Sequence, residues 1–254
     1  MRTLFVTGVL GLSVLMGCVG VVDSTGGDDT TNPNPDPNPN PNPDPNPTPT
    51  PMLAATIDKP TVTTALGESA TLIVNLTGSG GFSGPVTLTP SVMDAGGAPV
   101  SGWTMTMTPP TVNLAADGTA SVTISVDIPT DTASLATTVK VGVSAASVTA
   151  QTLTSAFTVA NTYTIQIKAG TGTGTHAGVF PTLLKLKTGA QLIFHNADTI
   201  AHRIHGNEGN GNTGIAHEAN DLQPGANYKV TPSGSDTFYC HDHDIGPHGN
   251  LSLL

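Results

Sequence analysis

The residues able to do chemistry crowd into the last third of this chain. All eight histidines follow residue 160: His176, His195, His202, His205, His217, His241, His243 and His248. The densest run is Phe238-Tyr239-Cys240-His241-Asp242-His243-Asp244-Ile245-Gly246-Pro247-His248-Gly249. A thiolate and an imidazole with two residues between them, on a loop leaving a strand, reach one metal ion together. A second imidazole must then come from elsewhere. The stretch Phe194-His195-Asn196-Ala197-Asp198-Thr199-Ile200-Ala201-His202 offers one at the end of another strand. A thiolate with two imidazoles suits an electron-transfer copper ion; one cysteine with three histidines also suits tetrahedral zinc.

The cysteine count sharpens this. There are two, Cys18 and Cys240. Arg2 opens a short apolar run, Leu4 to Met16, that ends in Leu15-Met16-Gly17-Cys18. The run is too short to span a bilayer comfortably and fits an export signal. Its end resembles the bacterial lipobox, which implies cleavage before Cys18 and lipidation of its thiol. Residues 1–17 are thus expected to be a lipoprotein signal peptide. The expected address is outside the cytoplasm, anchored to a membrane (the outer one where the host has two), facing the periplasm or the cell surface. Cys240 is then the sole remaining thiol. In an oxidising compartment such a thiol must be buried or held by a metal.

The elements that position these residues read as β-strands. Thr, Ser, Val, Ala and Gly dominate, and aromatics make up only 4%. Such a composition favours short strands. Residues 18–52 form a separate stalk. Proline takes every second position from Pro33 to Pro51, which forbids helix and inner strand and favours an extended, solvated rod. Residues 53–160 alternate apolar and polar in runs such as Ala70–Leu76, Pro85–Thr89 and Ala120–Val126. About seven antiparallel strands in an Ig-like β-sandwich are expected there. That stretch holds no His and no Cys, and Trp103 reads as a packing residue. Residues 161–254 supply further strand signals at Tyr163–Ile167, Leu183–Leu186, Gln191–Phe194, Tyr228–Val230 and Thr237–Cys240, with Asn250–Leu254 as a closing strand. The fold class is therefore all-β: an Ig-like β-sandwich followed by a small Greek-key β-barrel.

The last ninety or so residues resemble the plastocyanin and halocyanin branch of the cupredoxins. In that family a strand ending in F-x-N-x-D-x-x-x-H supplies the first histidine; here stand Phe194, Asn196, Asp198 and His202. A second phrase, Y-x-C-x-x-H-x-x-x-x-M-x-G, supplies the cysteine, a second histidine and an axial methionine. Here Phe238 takes the aromatic position, followed by Cys240 and His243. Phe180-Pro181 is similar to an aromatic-proline element of the same family. The resemblance implies a cupredoxin barrel holding one copper ion, of type 1 or a variant of it, with His202, Cys240 and His243 as equatorial ligands.

One departure from the family pattern changes the expected site. All six methionines lie at or before position 107, so no thioether is available. His248 stands where the axial methionine belongs. As a ligand it would favour Cu(II) and lower the reduction potential. The expected ligand set is therefore His202, Cys240, His243 and His248. His241 follows Cys240 directly and should point away from it in extended backbone. His205 would face the site only across a bulge, His195 reads as a surface strand residue, and His176 and His217 sit in polar loops.

These residues imply one-electron transfer to or from a redox partner protein, with copper buffering or delivery as the alternative. Enzymatic chemistry is not expected. The His-Cys-His triplet of multicopper oxidases is broken by Tyr239, the haem-attachment motif C-x-x-C-H is absent, and no nucleophile–base pair stands out. No small-molecule substrate is evident. With a net charge of -10 and only 8 Lys plus Arg, nucleic acid is not an expected partner.

Overall fold

A computed structural model describes residues 48–170, 180–206, 214–216, 220–240 and 249–254. The expected signal peptide, Cys18 and the stalk up to residue 47 lie outside the described residues. So do His176, His217, His241, His243 and His248. Of His205 and Cys240 only the backbone is described.

The described residues form strands and turns without helix. The all-β class is the observed one, an Ig-like sandwich followed by a small Greek-key barrel. The first sandwich takes its strands from Met52 to Ala160. One sheet orders β1 (Met52–Ile57), β3 (Ser69–Ser79), β7 (Thr119–Asp127) and β5 (Thr104–Thr108). The other orders β2 (Thr61–Ala65), β9 (Gln151–Ala160), β8 (Ala136–Ala145), β4 (Gly84–Asp94) and β6 (Val112–Leu114).

Alternation sets the register. In β3, Leu72, Val74 and Leu76 are fully buried and meet Ile124, Val122 and Ala120 across β7. Thr71, Asn75 and Thr77 take outward positions together with the exposed Ile73, so a one-residue slip would expose the whole buried set. Each such buried aliphatic side chain contributes about 1.5–3 kcal/mol relative to exposure. Trp103 packs edge-on against Phe157 at 5.7 Å and donates its indole N–H to Thr132 at 3.1 Å. It is a core residue, as its sequence context suggested.

The strand count departs from the expected seven. There are nine, and one of the two extra strands arises because the first strand divides at Asp58-Lys59-Pro60. Its first half joins one sheet and its second half the other, where β2 runs parallel to β9. Pro60 has no N–H to continue a ladder, so the chain changes sheets there.

From residue 162 the chain alternates between two smaller sheets. One orders β10 (Thr162–Ile167), β12 (Gln191–Asn196) and β14 (Asn227–Val230). The other orders β11 (Leu184–Leu186), β16 (Gly249–Leu253), β15 (Asp236–Cys240) and β13 (Ile204–Gly206). Every step from β10 to β15 crosses from one sheet to the other; β15 and β16 are consecutive and pair directly, antiparallel. The expected closing strand is β16, held between β15 and β11. Four rings fill the space between the sheets. Phe238 on β15 lies 5.6 Å from Phe194 on β12, Phe180 lies 5.3 Å from Phe238, and Tyr228 stacks on Phe194 at 6.1 Å.

A single residue, Asn161, separates β9 from β10. Its carbonyl accepts from Gln191 N–H at 2.9 Å, and its side-chain amide donates to the Gly189 carbonyl at 3.0 Å. The Leu66 N–H donates to the Thr162 carbonyl at 3.1 Å, and the Thr130 hydroxyl donates to the Lys185 carbonyl. Gly67, at φ 73°, lies under the Tyr163 ring; a Cβ there would stand 2.5 Å from a ring carbon. The two sandwiches are thus joined by hydrogen bonds and close packing.

Candidate metal centre

The site is assembled by the end of β12, the loop after it, β13 and the end of β15. Asn196 closes β12 and is fully buried. Its amide nitrogen donates to the Ile200 carbonyl at 2.8 Å and to the Leu222 carbonyl at 2.7 Å. Its oxygen accepts the Asp198 N–H at 2.9 Å. One side chain therefore folds the loop 197–201 and ties it to the strand-like segment at Leu222. A buried amide in water-free surroundings is tolerated only when its groups are satisfied in this way.

Asp198 is buried beneath that loop. Its Oδ1 accepts the Thr199 N–H at 2.7 Å and the Gly170 N–H at 3.0 Å. Its Oδ2 lies 3.1 Å from His202 Nε2, with side-chain exposures of 3% for the aspartate and 0% for the histidine. The His202 backbone forms a bridge with Leu222, and Arg203 pairs with Asp221 at 2.5 Å. That ion pair is half exposed and so adds little stability of its own. It does lie beside the Leu222 bridge, on the same two chain segments.

β13 follows at once. Ile204 is fully buried and stands directly opposite Cys240 in the antiparallel pairing of β13 with β15. Gly206 stands opposite Phe238. On the other side of β15, Phe238 faces Gly249, where a Cβ would fall 2.1 Å from the phenyl ring. Glycine at 249 leaves the Phe238 ring its place inside the barrel, two residues before Cys240, whereas a Cβ at Gly206 would meet Asp236 and the Ile215 carbonyl.

Cys240 thus stands opposite Ile204, two residues beyond His202, so the backbones of His202 and Cys240, far apart in sequence, come to the same end of the β13–β15 pair. His243 and His248 lie outside the described residues. Among the described residues, no three His, Cys, Asp or Glu side chains cluster closely enough to hold a metal. His195 pairs with Asn227 on the outer face of β12, its Nδ1 2.9 Å from Asn227 Oδ1, in keeping with a surface strand residue. The residues that the sequence pattern did not assign a role are Asn196, Asp198 and the Arg203–Asp221 pair. A carboxylate four residues before a histidine is a visible signal. The reach of Asn196 to Leu222 is not.

No family model matches the chain. No curated protein matches it either. Solved structures give partial likenesses. A family 123 glycoside hydrolase from Clostridium perfringens matches at 15% identity and a TM-score of 0.36, over 45% of this chain and 30% of the hydrolase. The chain thus spans under a third of that enzyme's length. A purple cupredoxin from Nitrosopumilus maritimus matches at 21% identity and a TM-score of 0.30, over 36% of this chain and 98% of the cupredoxin. A PapD-like domain of human CEP192 matches at 16% identity and a TM-score of 0.30, over 50% of this chain and 97% of that domain. At such low overlap these are likenesses of outline, and the functional reading rests on the residues themselves.

Proposed function

We propose that residues 161–254 form a cupredoxin-like copper-binding domain that passes single electrons to or from a partner protein. The supporting observation is the convergence of the His202 and Cys240 backbones at one end of the β13–β15 pair. The donor set fits the metal: one thiol and several imidazoles are what copper prefers among biological ligands. His202, Cys240, His243 and His248 would hold it. Copper supplies the redox change; the protein supplies fixed ligands.

The described residues suit that task. His202 is carried on backbone bridged to Leu222, its ring is held by Asp198, and the loop beneath is closed by Asn196. β15 is clamped on both sides, by β13 and β16. Ligand-bearing segments held this firmly move little when charge changes, which keeps the barrier to electron transfer low. The proposal extends to the whole chain: a lipid anchor at Cys18, a proline-rich stalk, and an Ig-like spacer that carries the copper domain clear of an outer membrane or cell surface.

Electrochemistry of the copper-loaded protein separates electron transfer from copper buffering. Reversible one-electron cycling is expected, and His248→Met should raise the potential by removing a ligand that favours Cu(II). Binding without reversible cycling would favour buffering. An unchanged potential would remove His248 from the ligand set.

A further inference from the structure

We infer that Asp198 is a positioning residue that fixes the His202 imidazole in one tautomer, with the proton on Nε2, and so reserves Nδ1 as the metal-binding nitrogen. This rests on the copper reading given above, but its first test does not need copper. Three observations carry it. His202 and Asp198 are both buried, so water does not compete for the ring. Nε2 lies 3.1 Å from Asp198 Oδ2. Asp198 Oδ1 accepts two backbone N–H groups, from Gly170 and Thr199, which holds the carboxylate in a single orientation.

A carboxylate accepts hydrogen bonds and donates none. Nε2 must therefore be the donor. A neutral imidazole with its proton on Nε2 presents its lone pair at Nδ1. The tautomer that a metal needs is thus built into the protein before any metal arrives. The ring orientation is fixed by the same bond, and an outer carboxylate makes the imidazole a stronger donor.

Replacing the carboxylate by an amide reverses the logic. In Asp198→Asn, the amide oxygen keeps the Gly170 and Thr199 N–H groups, because an NH2 there would oppose two donors. The NH2 then faces Nε2, which can only accept. The ring must carry its proton on Nδ1. A comparable tautomer trap accounts for the loss of activity when the triad aspartate of a serine protease becomes asparagine.

The test is long-range 15N–1H NMR of the metal-free full chain labelled in histidine, with His202 assigned by its loss in a His202→Gln sample. The expected result is an Nε2–H signature in the native protein and an Nδ1–H signature in Asp198→Asn. Titration with Cu(II) should then show affinity about 10–100-fold lower in Asp198→Asn. Asp198→Glu, which retains a carboxylate, should keep the native tautomer. A native Nδ1–H tautomer would overturn the inference. So would a reversed tautomer with no loss of copper affinity. A native protein that shows the Nε2–H signature yet takes up no copper would instead defeat the copper reading and leave the ring assignment standing.

Discussion

Ile204 stands directly opposite Cys240, and that register joins the two ends of the candidate centre. Ile204 is two residues beyond His202, whose own backbone is bridged to Leu222. Antiparallel pairing fixes positions to within a residue, because a slip of one would turn the buried Ile204 outward. The spacing between a histidine on one segment and a cysteine on another is therefore set by a hydrophobic constraint.

That constraint depends on Phe238, the buried ring packed over Gly249. Gly249→Ala should lower stability by about 1–3 kcal/mol, because the new methyl falls within the space of the Phe238 ring. Urea unfolding measures the loss. The companion change Phe238→Leu should partly relieve the clash, so the double variant should lose less than the sum of the two single ones.

Asn196 is the second point of dependence. Asn196→Leu removes two donors: the part-buried Ile200 carbonyl loses its bond to the amide, and the buried Leu222 carbonyl keeps only the His202 N–H. A cost of about 1–3 kcal/mol is expected. Amide hydrogen exchange should show faster exchange at His202 and Leu222, whose backbones bond each other, than at β3 and β7. Equal protection in variant and native protein would remove Asn196 from its bridging role.

Tyr163 predicts an alkaline dependence of stability. Burial over Gly67 raises its phenol above the usual 10.0. The folded protein therefore favours the neutral phenol. Its contribution is fully present below pH 10.0 and is lost as pH rises through the higher folded value. Tyr163→Phe has no proton to lose and should show a shallower fall in stability in the alkaline range. Comparing the denaturant midpoints of the two proteins from about pH 8 to about pH 11 checks this, since other titrating groups are common to both.

Much of this was legible in the sequence because alternation is a local signal. The strands around Leu72, Val86, Val122, Ile165, Phe194 and Phe238 all announce themselves by period two. β13 does not: three residues, Ile204-His205-Gly206, are too few to alternate, and the strand exists only because β15 offers it a ladder. The split of the first strand was hidden for a similar reason. Pro60 is visible, but the parallel partnership of β2 with β9 joins residues nearly a hundred positions apart. At the candidate site, the phrase from Phe194 to His202 covers the end of β12 and the loop after it. What Asn196 and Asp198 do there could not be read from spacing, since their partners Leu222 and Gly170 lie on other segments.

The most direct measurement is the visible absorption spectrum of the full chain loaded with one equivalent of Cu(II). The account predicts an intense thiolate-to-copper charge-transfer band that disappears in Cys240→Ser and is weakened or shifted in His202→Gln. A loaded protein with no such band, or with one that survives Cys240→Ser, would contradict it.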